Sequence, residues 1–364
     1  MPQKKIFYSL LLFILSIGII LGTHFDAFLY QDTVAKVVSV KTLNRQKNID
    51  EHENVDHTTT QKLTLEILNT RQKGQHVQVH NSYTESQAVD QKYHVGQQVL
   101  ISLSHNQNVV IKGLKRDTFI VALICLTISL ILLIVHKKGL MAIISLMVNS
   151  LLFILAIQLE LIHNGKNILP IFSGLVFIFT LVTLALIFGL NRQLLVAATA
   201  TIISTFISFG LFLLILNSTH EQGIHYEAMS YAVQQPKIIF LAQILIGALG
   251  AIMDEATDIT STLQQLRLEN PAFKFKQIFP VGMGMGRQII GPLISILFLI
   301  FMADTIPMAV LYLRNGNSIL QTFNWTMYLG LVQSLVSAIG IVLTVPLTSV
   351  LAGQLLGGNQ NGRR

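Results

Sequence analysis

Eight stretches of this sequence are long and apolar enough to cross the hydrocarbon core of a bilayer, which takes about 20 residues of helix, and nothing else limits its possible folds so strongly. They run from Ile6 to Gly22, Phe119 to Val135, Leu140 to Ile162, Ile168 to Leu190, Leu194 to Leu216, Ile238 to Ile259, Ile289 to Ile306 and Trp325 to Val350. With 52% of residues hydrophobic and 12% charged, the composition is that of an integral membrane protein rather than a soluble domain with a hydrated surface. The predicted fold is an all-α polytopic membrane helix bundle of about eight transmembrane helices, with a small all-β extracytoplasmic domain inserted after the first.

The formal net charge of +7 could suggest nucleic acid, but the positions of the charges argue otherwise. With the amino terminus inside, the inner segments carry Lys4, Lys5, Lys137, Lys138, Arg192, Arg267, Lys274, Lys276, Arg287, Arg363 and Arg364, and the short outer loops only Lys166, Lys237 and Arg314. Basic residues beside a span are retained on the cytoplasmic side, so both termini are expected in the cytoplasm of a multi-pass cell-membrane protein. No nucleic-acid partner is expected. Thr23-His24-Phe25-Asp26 fits a cleavage site poorly, so residues 1–26 read as an uncleaved anchor. The single cysteine, Cys125, excludes an internal disulfide.

Between the first two spans, residues 27–116 change from helical runs to short alternating stretches. Thr33 to Val40, Lys62 to Leu68, His76 to His80, Gln97 to Leu103 and Val109 to Lys112 alternate apolar with polar residues as half-buried strands do, and Gly74 and Gly96 punctuate them as turns. A small β-barrel or sandwich is expected there, followed by a seven-helix domain over 117–364. Asp50-Glu51-His52-Glu53-Asn54-Val55-Asp56-His57 has residue types that bind metal ions, but no secondary structure fixes ligands in so short a polar run. No metal and no cofactor are expected.

Signatures of catalysis are missing: the sequence has no Gly-x-x-x-x-Gly-Lys phosphate loop, no Gly-x-Ser-x-Gly elbow and no His-Glu-x-x-His helix, and an enzyme is not expected. Gly282-Met283-Gly284-Met285-Gly286 has the wrong spacing for a dinucleotide turn and reads as a flexible membrane re-entry.

The carboxylates of the sixth span carry the functional reading, because acids at membrane depth are costly. Asp254 and Asp258 are four residues apart and share a helix face, whereas Glu255 lies about 100° around. Gly250 lets a neighbouring helix approach, Gly286 and Arg287 open the next segment, and Gly291-Pro292 interrupts it. Asp254 is expected to hold a cation or proton with Arg287 as its partner, and Glu255 and Asp258 are lesser candidates. The opposing reading puts Asp254 about 24 Å along its helix, near an interface where acids face water at little cost.

Gly250-Ala251-Ile252-Met253-Asp254 and Gly286-Arg287-Gln288-Ile289-Ile290-Gly291 resemble motifs of the YibE/F-like multi-pass membrane proteins of bacteria. Weaker resemblances are Val95-Gly96-Gln97-Gln98-Val99, Lys138-Gly139-Leu140, Ile339-Gly340 and Val345-Pro346-Leu347-Thr348. The resemblance implies eight spans with an outer domain after the first, and a second membrane protein of the same family as a partner. It supplies no biochemical activity. Family members often have a small or apolar residue after the motif aspartate, where this chain has Glu255, and an acidic residue after the arginine, where it has Gln288. Only Asp254 and Arg287 carry over.

Two functions are therefore expected, with the lipid bilayer as the common partner. One is a secondary permease or channel for an ion or small solute. The other is a non-catalytic scaffold or export-associated component that docks partners through its β-domain.

Overall fold

The computed structural model describes residues 14–356 except 50–52, 54, 88–89, 104–108, 136, 164, 166, 230–234 and 272–273. The start of the first predicted span, half of the metal-like loop, and Lys4, Lys5, Lys166, Arg363 and Arg364 lie outside the described residues. The chain forms two compact units, residues 1–139 and 140–364.

In the first unit a short apolar helix, α1 (Ile14–His24), leads through a 3₁₀ turn (Asp26–Leu29) into five antiparallel strands. These are β1 (Thr33–Ile49), β2 (Val55–Ile67), β3 (His76–Thr84), β4 (Gln98–Leu103) and β5 (Val109–Leu114), in the order β3-β2-β1-β4-β5. Period-2 alternation buries one face: Leu63, Leu65 and Ile67 of β2 are fully buried against Val37, Val99 and Ile101, each contributing about 1.5–3 kcal/mol relative to an exposed side chain. The expectation of a barrel or sandwich is refined to one sheet. Its edge strands β3 and β5 approach each other, and Val79 and Val109 join the same apolar cluster, but among the described residues no ladder closes the seam. Asn69 secures the entry to the sheet, accepting from the Val34 amide at 2.8 Å and donating to the carbonyls of Ala27 and Asp32, both at 2.9 Å. The unit ends with α2 (Asp117–Val135), whose Ser129 hydroxyl lies 3.1 Å from that of Ser16 on α1.

The helices that follow are α3 (Lys137–Ile162), α4 (Ile168–Phe188), α5 (Arg192–Ser218), α6 (Pro236–Glu269), α7 (Phe275–Arg314) and α8 (Ile319–Leu355). Among the described residues seven helices, α2 to α8, are long and apolar enough to cross a membrane. Asn191 caps α5 by accepting from the amides of Gln193 and Leu194, and Pro236 starts α6 at a position where its missing N–H costs nothing.

α5, α6 and α8 pack mutually, with α4 against α5 and α6, and α7 against α8. Glycines set the closest approaches. Gly282 and Gly286 of α7 receive Ser349 and Val345 of α8, Gly247 of α6 receives Gln333, and Gly340 of α8 receives Ile252, the small-residue packing by which apolar helices associate.

The sequence places two helix boundaries short by ten residues or more. α6 continues ten residues past Ile259, and α7 begins fourteen residues before Ile289, because Leu263 and Ile278 pack into a core with Val345, Ala352 and Leu356 of α8. Gly282 to Gly286 therefore lies within helix, which replaces the expected re-entry, and Arg287 is in the fourth turn of α7. Gly291-Pro292 leaves α7 continuous. Pro292 cannot donate to the Gln288 carbonyl, and the Ser295 hydroxyl bonds back to the Gly291 carbonyl at 2.9 Å.

Candidate functional site

The three clustered acids of α6, Asp254, Glu255 and Asp258, face two ways. Asp254 and Asp258 share an exposed face, and Glu255 is fully buried with Ile252, Ala256 and Ile259. Helical periodicity decides this: Leu245, Ala248, Ile252, Ile259 and Leu263 recur at spacings of three, four and seven along the face that meets α5 and α8, and Glu255 falls on that stripe.

The level of Glu255 follows from its neighbours. Gly247 meets Gln333, and Gly340 meets both Ile252 and Ser208, so α6 and α8 run in the same direction, and α5 runs opposite, with Leu216 clustering with Phe240 and Val196 with Ile259 and Leu263. One turn beyond Ile252, Glu255 is level with Ser204 and Thr205 of α5 and Thr344 of α8. All three are fully buried, as are Thr201 a turn further along α5 and Thr348 a turn further along α8. Thr344 is satisfied by the Gly340 carbonyl at 2.8 Å. The hydroxyls of Thr201, Ser204, Thr205 and Thr348 have no protein partner, nor has either carboxylate oxygen of Glu255.

This arrangement demands a ligand or a proton. Removing an ionised carboxylate from water costs several kcal/mol unless it is paired, and a buried hydroxyl without a partner costs about 1–3 kcal/mol. Every donor atom in the group is oxygen, which suits a proton or a hard cation and not a soft metal.

The pairing of Asp254 with Arg287 is not seen: Arg287 is exposed, and no ion pair joins it to an acid among the described residues. Gly286 makes a tight helix contact, whereas a Cβ at Gly250 or Gly291 would meet nothing within 4 Å. Among the softer polar positions, Asn149 donates to Thr183 at 2.7 Å and Gln243 to Gln333 at 3.0 Å. Glu160 accepts from the Asn167 amide at 3.3 Å, and His163 bonds instead to the Leu159 carbonyl.

A charged cluster in the first unit has no counterpart among the sequence motifs. Lys115, only 1% exposed, lies 2.8 Å from Asp26 and 2.9 Å from Asp117, donates to the Thr23 carbonyl, and sits 5.4 Å from the centre of the Tyr30 ring. The Asp26 contact rests on charge alone, since Oδ1 makes no aligned hydrogen bond. The only available signal was the position of these charges, flanking two apolar helices.

Two family models match the chain, the YibE/F-like protein over residues 123–358 and the YibE/F family N-terminal domain over residues 28–114. No curated protein and no solved structure matches it.

Proposed function

The chain belongs to the YibE/F-like family, and from that premise we propose that it is a multi-pass membrane permease or channel for a cation or proton, with Glu255 as the central group of its site. The carrying observation is a fully buried carboxylate with neither oxygen partnered, level with unpartnered hydroxyls of α5. In a bilayer the apolar surfaces of α2 and α3 face lipid, residues 27–116 stand outside the cell, and the segments before α1 and after α8 are cytoplasmic, as the distribution of Lys and Arg favours.

In this reading Glu255 supplies the single negative charge and the hydroxyls of Ser204 and Thr205 replace part of the ion's water. One carboxylate neutralises one proton or one monovalent cation, which favours these over a divalent ion left with an uncompensated charge in a low dielectric. Asp254 and Asp258, on the exposed face, raise the local concentration of cations.

The test is flux in proteoliposomes. Glu255→Gln keeps the shape and removes the charge, and it should reduce ion- or pH-dependent flux by about a hundredfold, a loss of about 2.7 kcal/mol, while Asp254→Asn retains most of it. Undiminished flux through folded Glu255→Gln would end this reading.

One observation favours the second reading, a scaffold docking through its β-domain. The far half of β1 is exposed residue after residue, and it carries Leu43 and Ile49 opposite Val55 of β2. Exposed, paired strands with apolar side chains form a docking ribbon. Shortening this hairpin would then abolish recovery of a membrane complex and leave flux unchanged. Neither reading assigns the chain an enzymatic reaction.

A further inference from the structure

A cavity of about 520 Å³ opens between α6, α7 and α8, well separated from Glu255 along α6. Among the described residues its lining contains a single charged side chain, Asp304, and no hydrogen bond or ion pair joins it to any of them. The remaining walls combine aliphatic and hydroxyl side chains with three aromatic rings and two amides. Phe240, Phe301 and Trp325 supply ring surface, and Gln243 and Gln333, bonded to each other at 3.0 Å, form one side.

Two local features build this wall. α8 contains a π-helical turn, Phe323–Met327, a rare distortion that concentrates at functional sites, and it contributes Trp325 to the lining. The imidazole of His225 stacks on the indole at 5.1 Å with planes 14° apart, which fixes the ring. Opposite, Phe301 packs where Gly330 has no Cβ, and a methyl group there would collide with the ring.

The chemistry is selective. An unpaired, exposed carboxylate that shares a cavity with aromatic rings attracts positive charge, and a described lining without Lys or Arg offers nothing to an anion. The volume falls in the range of small-molecule sites, about 300–1,000 Å³, far larger than a bare metal ion requires, and aromatic walls reward an alkylated cation over a hydrated inorganic one. A second cavity of about 870 Å³ shares Gln243 and Gln333 as its wall, and among its described lining residues the one with a charge is also an acid, Glu160. We propose that the cavity between α6, α7 and α8 is a binding site for a small organic ammonium cation, held by Asp304 and the ring of Trp325. This goes beyond the permease reading and does not depend on flux.

Trp325 is the only tryptophan of the chain, so intrinsic fluorescence of the purified full-length protein in detergent reports this cavity. Choline and tetramethylammonium are titrated, with 3,3-dimethylbutan-1-ol as the neutral isostere of choline and sodium chloride as the ionic-strength control. Both ammonium ions should give a saturable fluorescence change and raise the melting temperature, and both controls should do neither. Asp304→Asn should weaken choline at least tenfold, and Phe301→Leu several-fold. The proposal is overturned if neither readout responds to millimolar choline, if the isostere matches choline, or if folded Asp304→Asn binds as tightly as the unaltered chain. Where Asp304→Asn does not fold, the isostere comparison on the unaltered chain decides. Since Glu255 is outside this cavity, a failed flux test leaves these outcomes unaffected, and the reverse holds as well.

Discussion

The ammonium of Lys115 lies 2.9 Å from the Asp117 carboxylate in a site where the lysine is almost completely buried, at the point where β5 hands over to α2. Asp26 pairs with the same ammonium from the other side, at the exit of α1. One cation thus ties both helices to the sheet between them. Breaking a buried pair by removing one partner costs about 3–5 kcal/mol because the other charge is left unpaired. The two carboxylates are partly exposed and can recover some hydration, so Lys115→Met should cost about 3 kcal/mol, the lower end of that range. Unfolding of the sheet followed by circular dichroism would measure it, and a Lys115→Met chain as stable as the original would show that the cluster is not a clamp.

Tyr30 reports the same cluster optically. Burial pushes its phenol up to about 12, assisted by the hydrogen bond it donates to Asp117 at 2.7 Å and by that carboxylate's charge. A phenol whose folded value is raised contributes stability that is fully present below its unfolded value of about 10 and lost as the pH rises through the folded value. The first unit should therefore weaken between about pH 10 and 12. Absorbance at the phenolate band, compared with Tyr30→Phe, should place this titration about two units above a free tyrosine, and Asp117→Asn should move it back down. Ionisation near pH 10 in the unaltered chain would contradict the contact.

Much of this architecture is readable from local pattern. The five strands were visible because period-2 alternation is a property of neighbouring residues, and Gly74 and Gly96, with φ of +84° and +93°, occupy turn conformations that disfavour other residues. The far half of β1 was not visible: Lys41 to Asn48 is almost uniformly polar and becomes a strand through its ladder with β2. The extensions of α6 and α7 are hidden for a similar reason, since Thr, Gln and the charged Arg267, Glu269 and Lys276 lower the hydropathy of segments that are held helical by packing on α8. Motif resemblance drew attention to Asp254, the exposed neighbour. Choosing Glu255 needs the identity of the face that meets α5 and α8, and the stripe of Leu245, Ile252 and Ile259 carried that signal.

The glycines of α7 and α6 should separate sharply on substitution. A Cβ on Gly286 would overlap Val345, which is 1% exposed and cannot move aside, so Gly286→Ala should cost about 1–3 kcal/mol, the usual penalty of overpacking. Trimming the obstacle in the double variant Gly286→Ala with Val345→Ala should recover part of that loss. At Gly250 the same methyl meets open space, and alanine is the better helix former by about 1 kcal/mol, so Gly250→Ala should be neutral or stabilising. Thermal melts in one detergent would rank them, and equal effects at both glycines would refute the α7–α8 contact.

The proposed orientation makes the last prediction, and Cys125 makes it simple to test. Being the only cysteine, it can be changed to serine to give a background without thiols. Single cysteines can then be placed in described turns: at Gln72 between β2 and β3, at Leu190 between α4 and α5, and at Asn315 between α7 and α8. Leu190 is 91% exposed and adjoins Arg192, on the side where retained basic residues accumulate. A maleimide that cannot cross the membrane should label Gln72→Cys and Asn315→Cys in intact cells, and Leu190→Cys only after permeabilisation. The reverse pattern would invert the protein. Labelling of Leu190→Cys together with Asn315→Cys in intact cells would instead remove a crossing between α5 and α7, and with it the threading on which the cation route past Glu255 depends.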